Sequence, residues 1–272
     1  MVSGIGSSDS KGGLIRNLAQ AQKSKESAFE KLSSGKRVNR ASDDAAGLAI
    51  ISALEADVSQ QRQISRNVGD FESLVSIADG ATEQVGNITS RLQELATQSA
   101  NGTLSDTQRS ALNNEFQALK QEIGRIAETT EFNGTKPLQG TTLSAQVGTD
   151  AGANSQISVS GVDVSGLASS LDSLDISTSA GALASLAPLD NFSSNVSSKR
   201  GELGAASARL QAAKQNSEQS AISSEQAASA IRDVDVADQA AKLVSANIRS
   251  NAGVALAAQA NQSAANVLRL LS

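Results

Sequence analysis

The stretch DVDVADQAAKLVSANIRSNAGVALAAQANQSAANVLRLLS, residues 233–272, decides the fold. Stepping through it in alternating fours and threes gives Val236, Ala240, Leu243, Asn247, Ser250, Val254, Ala257, Asn261, Ala264, Leu268 and Leu271. Eight of these eleven positions are apolar, with a mean spacing of half of seven, the period of a helix lying along another helix. Many of the apolar positions are Ala, so a partner backbone can come close. The stretch has no Pro and a single Gly, Gly253. A helix of about 36 residues would be about 54 Å long. Alone it could not bury its stripe, so it needs a partner over that whole length.

The partner is found at the other end of the chain. Leu14, Leu18, Ala21, Lys25, Ala28 and Leu32 repeat the same four-three spacing, and Gly35 is placed to stop that helix. Two segments with one period, each lacking a local partner, are expected to pair with each other. Ahead of Leu14 the residues MVSGIGSSDSKGG are polar and glycine-rich, so a loose start is expected there, with no apolar core for a cleaved export signal.

Between the two ends the helical period dominates. A basic link, Lys36 to Arg40, leads to Ser42-Asp43-Asp44, whose side chains suit the free amides and the positive end of a helix. Ile64, Val68, Phe71, Val75, Ala78, Val85, Ile88, Leu92 and Leu95 continue the stripe to about Ser99. Ser105 and Gln108 have capping-box spacing and open a further helix through Leu112, Phe116, Leu119, Ile123 and Ile126. After Phe132-Asn133-Gly134 the period changes to two: Leu143, Ala145 and Val147, then Ile157, Val159, Val162 and Val164, which predicts a β-hairpin. Residues 165–187 carry no clear period. After Pro188, Leu189, Val196, Leu203 and Leu210 recur every seven residues and predict a long helix to about Ala230.

The fold class is therefore mainly α: a long antiparallel bundle or coiled coil formed by paired N- and C-terminal segments, with a small β-hairpin and no large outer domains. The expected divisions are 1–40, 41–140, 141–187, 188–232 and 233–272.

Composition narrows the function. Only 2% of the 272 residues are aromatic, and there is no Tyr, Trp, His or Cys. A globular enzyme of this size normally fills its core with aromatics, whereas long helices packed on small residues do not need them. Without His the commonest general base and metal ligand is missing. The net charge of −5 is uneven: +5 over residues 1–40, zero over 233–272 and −10 over 41–232. The basic start reads as a solvated helix face, since no aromatics interleave it, and neither nucleic-acid binding nor membrane insertion is expected. Adjacent Asp43 and Asp44 point about 100° apart on a helix and read as caps rather than an acid/base pair. Asp233, Asp235 and Asp238 lack the Gly and terminal Glu of a calcium loop. Sequons such as Asn101-Gly102-Thr103 and Asn191-Phe192-Ser193 read as incidental. Asn247 and Asn261 are either tolerated in the terminal stripe or fix its register, as buried Asn does in coiled coils.

Several stretches together resemble bacterial flagellin. They are LSSGKRVNRASDDAAGLAI at 32–50, RLQELATQSANGT at 91–103, EFNG at 131–134, AIRDVDVAD at 230–238 and ALAAQANQSAANVLRLL at 255–271, in the order of that family. The resemblance implies a structural filament subunit without enzymatic activity or cofactor. Its paired terminal helices, residues 1–40 and 233–272, would line the inner core, with Leu14, Leu18, Leu32, Val236, Leu243, Val254, Leu268 and Leu271 as packing residues. Residues 41–140 and 188–232 would form the surrounding helical domain, and 141–187 the hairpin and variable surface. It also implies secretion to an extracellular flagellum through the flagellar export apparatus, an export chaperone on the C-terminal helix, and contacts with the filament cap and hook-associated proteins. A host Toll-like receptor would read a patch at Arg91, Glu94, Leu95 and Glu115, although Gln93 stands where a basic residue is often found. The polar start departs from the family, whose members usually begin with a short apolar segment. The alternative reading is a hook–filament junction protein, which resembles flagellin at its ends.

Overall fold

The computed structural model describes the backbone of residues 5–271, with side chains from 12 to 263 and at 265 and 266. Two long helices near the middle of the chain, α2 (Ala45–Ala100) and α5 (Ser179–Arg232), run between two compact units and contribute to both. One unit comprises residues up to 57 and from 223 onward, the other residues 58–222.

The first unit holds α1 (Ile5–Ser34) and α6 (Val236–Leu271), which lie along each other as their shared period requires. Their Cα atoms come within 8 Å, an approach that small side chains permit. Buried Ala21 and Ala28 of α1 and Ala246 and Ser250 of α6 form the seam. Gly35, at φ +69°, ends α1 in the left-handed conformation that suits glycine. The beginning of α1 differs from expectation. It starts at Ile5 rather than Leu14, and Gly12 and Gly13 lie within it. Each Gly costs about 1 kcal/mol relative to Ala, too little to end a helix that tertiary packing extends.

The caps of the second unit follow the sequence closely. Ser105 Oγ accepts from the Gln108 amide and the Gln108 side chain accepts from the Ser105 amide, so the capping box opens α3 (Asp106–Thr129) as its spacing predicts. Asn133 (φ 50°) and Gly134 (φ 79°) form the centre of a tight turn closed by reciprocal Phe132–Thr135 backbone bonds of 2.9 Å. The hairpin pairs β1 (Leu143–Gln146) with β2 (Gln156–Val159) antiparallel, Leu143 opposite Val159 and Gln146 opposite Gln156. Val162 and Val164 lie beyond the strand, and Val164 begins the short α4 (Val164–Ser169). Asp163 caps α4 by accepting from the Gly166 amide at 2.7 Å.

Helix α5 starts at Ser179, nine residues before the expected Pro188, which sits inside the helix. The start signal is Thr178, whose hydroxyl accepts the Gly181 amide at 3.0 Å while its carbonyl accepts the Ala182 amide at 2.9 Å. Burial of Ala182, Leu189 and Phe192 on one face outweighs the proline penalty of about 3 kcal/mol. The core of this unit is one continuous cluster joining Val68, Val85, Leu92 and Leu95 of α2 to Phe116 and Ile123 of α3, the inward faces of the hairpin, and Leu189, Phe192, Leu203 and Leu210 of α5.

Candidate functional site

The α1–α6 pair presents two faces, and they differ in side-chain size. Facing α1 are the small or thin residues Gln239, Ala246, Ser250 and Gly253, with Leu243 and Ala257 half-buried. The predicted stripe shares Leu243, Ser250 and Ala257 with this seam and is offset by one residue elsewhere. Most of the described large apolar side chains of α6 are therefore left outside: Val236 (61% exposed), Val244, Ile248 (63%), Val254 and Leu256. On α1, Leu14, Leu18 and Leu32 are half-buried, whereas Ile15 and Phe29 are each 65% exposed. The side chains of Leu268 and Leu271 lie outside those described. An open groove of about 1100 Å³ runs along the pair, lined by Leu14, Leu18, Ala21, Ala246, Gly253 and Leu256 among others. A second hollow of about 600 Å³ lies against Val244 and Ile248.

The links into and out of this pair are joined by backbone bonds. Lys36 bridges antiparallel to Asp233, the Arg37 amide donates to the Arg232 carbonyl at 2.6 Å, and the Val234 amide donates to the Gly35 carbonyl at 3.0 Å. The Arg37 guanidinium donates to the Ile231 carbonyl at 2.6 Å. Around this joint each acidic residue has a structural task. Asp43 accepts the Asn39 and Arg40 amides at 3.1 and 3.0 Å, which holds its carboxyl below the usual range, the Arg40 amide contributing most. Asp44 caps α2 through the Gly47 amide at 2.8 Å. Asp235 caps α6 through the Ala237 and Asp238 amides at 2.9 and 3.1 Å. Asp233 takes the Ser229 hydroxyl and the Arg232 guanidinium, in that order of effect, and its carboxyl is likewise lowered. Arg232 also pairs with Glu55 at 2.9 Å. Among the described residues no group of three or more His, Cys, Asp or Glu could hold a metal ion, and no helix is long and apolar enough to cross a membrane.

The Arg91 cluster lies in the second unit. Arg91 donates to Glu115 at 2.8 and 3.0 Å and to Glu94 at 2.9 Å, bonds that raise its pKa, Glu94 contributing most. These three are exposed, while Leu95 is fully buried beneath them in the α2–α3–α5 core. A residue that motif reasoning passed over is Arg109. Its buried guanidinium donates to the carbonyls of Ser99, Asn101 (2.9 Å) and Leu104 (3.0 Å) and caps the carbonyl end of α2. The signal available was an Arg four residues after a Ser N-cap, too common a pattern to single out.

The assembled features are a helix pair with large apolar side chains on its outer face and a hydrogen-bonded joint. Comparison with known proteins agrees with this picture. The profile of the bacterial flagellin N-terminal helical region matches residues 13–142, and that of the bacterial flagellin C-terminal helical region matches residues 186–271. A flagellin of Halalkalibacterium halodurans is 41% identical over 94% of this chain and 93% of its own length. A flagellin of Bacillus subtilis is 36% identical over 94% of this chain and 96% of its own. The crystal structure of Bacillus cereus flagellin superposes with a TM-score of 0.51 at 29% identity, covering 56% of this chain and 88% of that one.

Proposed function

The chain belongs to the bacterial flagellin family and is a structural subunit of the flagellar filament, and on that premise we propose how its two ends build the polymer. Helices α1 and α6 supply the inner packing surface of the filament, residues 41–140 and 188–232 its surrounding helical layer, and 141–187 its outward hairpin. The observation that carries this reading is the row of large apolar side chains, Ile15, Phe29, Val236, Val244, Ile248, Val254 and Leu256, left in solvent on a single copy. Exposed apolar surface concentrated on one helix pair is the mark of an association face. Copies of the same pair, stacked head to tail, cover it. Leu14, Leu18, Leu32 and Leu243 then hold α1 to α6, and Val236 and Val254 meet neighbours.

The experiment is a dissociation–reassembly cycle followed by electron microscopy. The native chain regrows filaments. A chain carrying Val244→Asp and Ile248→Asp keeps its helical circular dichroism but yields none; filaments from that variant would refute the assignment of this face.

The role is mechanical rather than catalytic, and the polymer lies outside the cell. Before assembly the same uncovered face of α6 suits capture by an export chaperone during passage through the flagellar export apparatus, and at the filament's ends it suits the cap and hook-associated proteins. The exposed charges of Arg91, Glu94 and Glu115 are the part of their cluster that a host Toll-like receptor would touch, with Leu95 supporting α2 from below. A filament subunit is favoured over a hook–filament junction protein because two relatives matched over 94% of the chain are flagellins.

A further inference from the structure

The tripeptide Asn-Gly-Thr occurs twice, at 101–103 and at 133–135, and the fold places its two copies in different surroundings. The first follows the end of α2. There Asn101 Oδ1 accepts two donors from one residue, the Thr103 amide at 3.1 Å and the Thr103 hydroxyl at 3.0 Å. The Arg109 guanidinium donates to the backbone carbonyl of Asn101 at 2.9 Å. Asn101 and Gly102 are exposed, and no heavy atom lies within 4 Å of the position a Gly102 Cβ would take. At the second copy Asn133 and Gly134 are also exposed, but the Thr135 amide donates to the Phe132 carbonyl instead. Among the described residues no hydrogen bond engages the Asn133 side chain.

We infer that Asn101–Gly102 is a self-modifying site, at which the Gly102 backbone nitrogen attacks the Asn101 side-chain amide. The attack turns the amide carbon into a tetrahedral centre with negative charge on Oδ1. Two donors already aimed at that oxygen form the arrangement of an oxyanion hole. The attacking nitrogen must first shed its proton, and a guanidinium on the carbonyl of the same peptide group favours the anion that results. The bond from Gly102 N to Asn101 Cγ forms, the bond from Cγ to the side-chain nitrogen breaks, and ammonia leaves with a proton returned from solvent. A five-membered imide remains. One water molecule opens it: addition at Cγ gives aspartate with the original backbone, and addition at the backbone carbonyl carbon gives isoaspartate, whose chain runs through Cβ and Cγ. Overall water enters, ammonia leaves and nothing is oxidised or reduced. Either product sets a carboxylate at the negative end of a long helix, where it is unfavourable. In the isoaspartate the carbonyl that Arg109 holds becomes the free carboxylate, and the main chain is rerouted away from it.

Two identical tripeptides in one chain make the test internal. The full-length protein is incubated in mildly alkaline buffer, sampled over time, digested, and the two peptides are quantified by mass spectrometry. In the folded chain position 101 is expected to convert about tenfold faster than position 133, the size of effect that oriented oxyanion donors can supply. In the guanidinium-unfolded chain, where only local sequence acts, the two rates converge. Thr103→Val removes one of the two donors and slows position 101 by about threefold without changing position 133, and Thr103→Ser restores the rate. Equal rates at the two positions in the folded chain, or a Thr103→Val rate matching the native one, would overturn the assignment. Circular dichroism and the unchanged Asn133 rate establish that the variants are folded.

Discussion

A methyl group built on Gly253 would lie 3.2 Å from Leu18 Cδ1, so the Leu18 side chain of α1 fills the space left open by the glycine on α6. Gly inside a helix costs about 1 kcal/mol relative to Ala, and that cost is tolerated where a bulkier residue would push the partner away. Leu18 is half-buried and its Cδ1 is the far end of a flexible side chain, so it can retreat from one methyl. Gly253→Ala is therefore expected to leave the thermal stability of the end-helix pair unchanged or slightly raised. Gly253→Leu cannot be accommodated in this way and should weaken the pair by about 1–3 kcal/mol. Hydrogen exchange of α1 amides, compared between the two variants, reads the difference; equal protection in both would show that the helices do not depend on this contact.

The caps around the end of α2 rank by burial. Ser105→Ala removes an exposed N-cap and should cost about 1 kcal/mol. Arg109→Met leaves the buried Ser99 carbonyl and the part-buried Asn101 and Leu104 carbonyls without their donor and should cost about 3 kcal/mol. Arg109→Lys should fall between, because an ammonium lacks the planar fork that spans the three oxygens. Denaturant unfolding of the three variants gives the order directly, and an Arg109→Met midpoint no lower than that of Ser105→Ala would refute it.

These residues also show what was legible in the sequence. Helix periods, the Ser105–Gln108 box, the Gly35 stop and the pairing of the two ends were readable because each depends on local chemistry or on one shared period. The start of α5 was not, because Pro188 is a strong local signal for a boundary and only the buried row of Ala182, Leu189 and Phe192 overrides it. The face of α6 that meets α1 was misjudged by one residue at several positions for a related reason. Apolarity marks the stripe with the larger side chains, whereas close approach selects the smaller ones beside it, so Val254 and Gly253 exchange roles. The Arg91 cluster was legible only through family resemblance, and the burial of Leu95 within it required the packing of α3 and α5 to be known.

Acid should loosen the joint that links α1 to α2 and α5 to α6. The Asp43 carboxyl is lowered by the Arg40 and Asn39 amides, and the Asp233 carboxyl by the Ser229 hydroxyl and the Arg232 guanidinium. Each group titrates lower in the folded chain than in the unfolded one, so its contribution is complete above the ordinary 3.8 and is lost as pH falls through the depressed folded value. The amides of Asn39, Arg40 and Val234 should therefore lose protection, relative to their intrinsic exchange, once the pH passes below 3.8. Asp43→Asn should show the Asn39 and Arg40 losses already at neutral pH and little further change on acidification. Protection at those amides that holds steady through the acid range in the native chain would refute the role given to the two carboxylates.

The two ends should be the least stable parts of a free subunit and among the most protected parts of an assembled one. The fully buried apolar residues of their seam are alanines, with Leu14, Leu18, Leu32 and Leu243 only half-buried, and at about 25 cal/mol per Å² such contacts contribute far less than the Phe and Leu side chains of the second unit. Regions with few buried apolar contacts open locally at low cost, and proteases cut what opens. Limited proteolysis of the dissociated chain is expected to remove residues up to Arg40 and from Asp233 onward, leaving the middle intact. In reassembled filaments both ends should survive the same treatment, because Val244, Ile248 and their exposed neighbours are then covered by adjoining copies. Resistance of the ends equal to that of the middle in the free subunit would mean that α1 and α6 are complete without neighbours. The exposed apolar face could then no longer explain why subunits join.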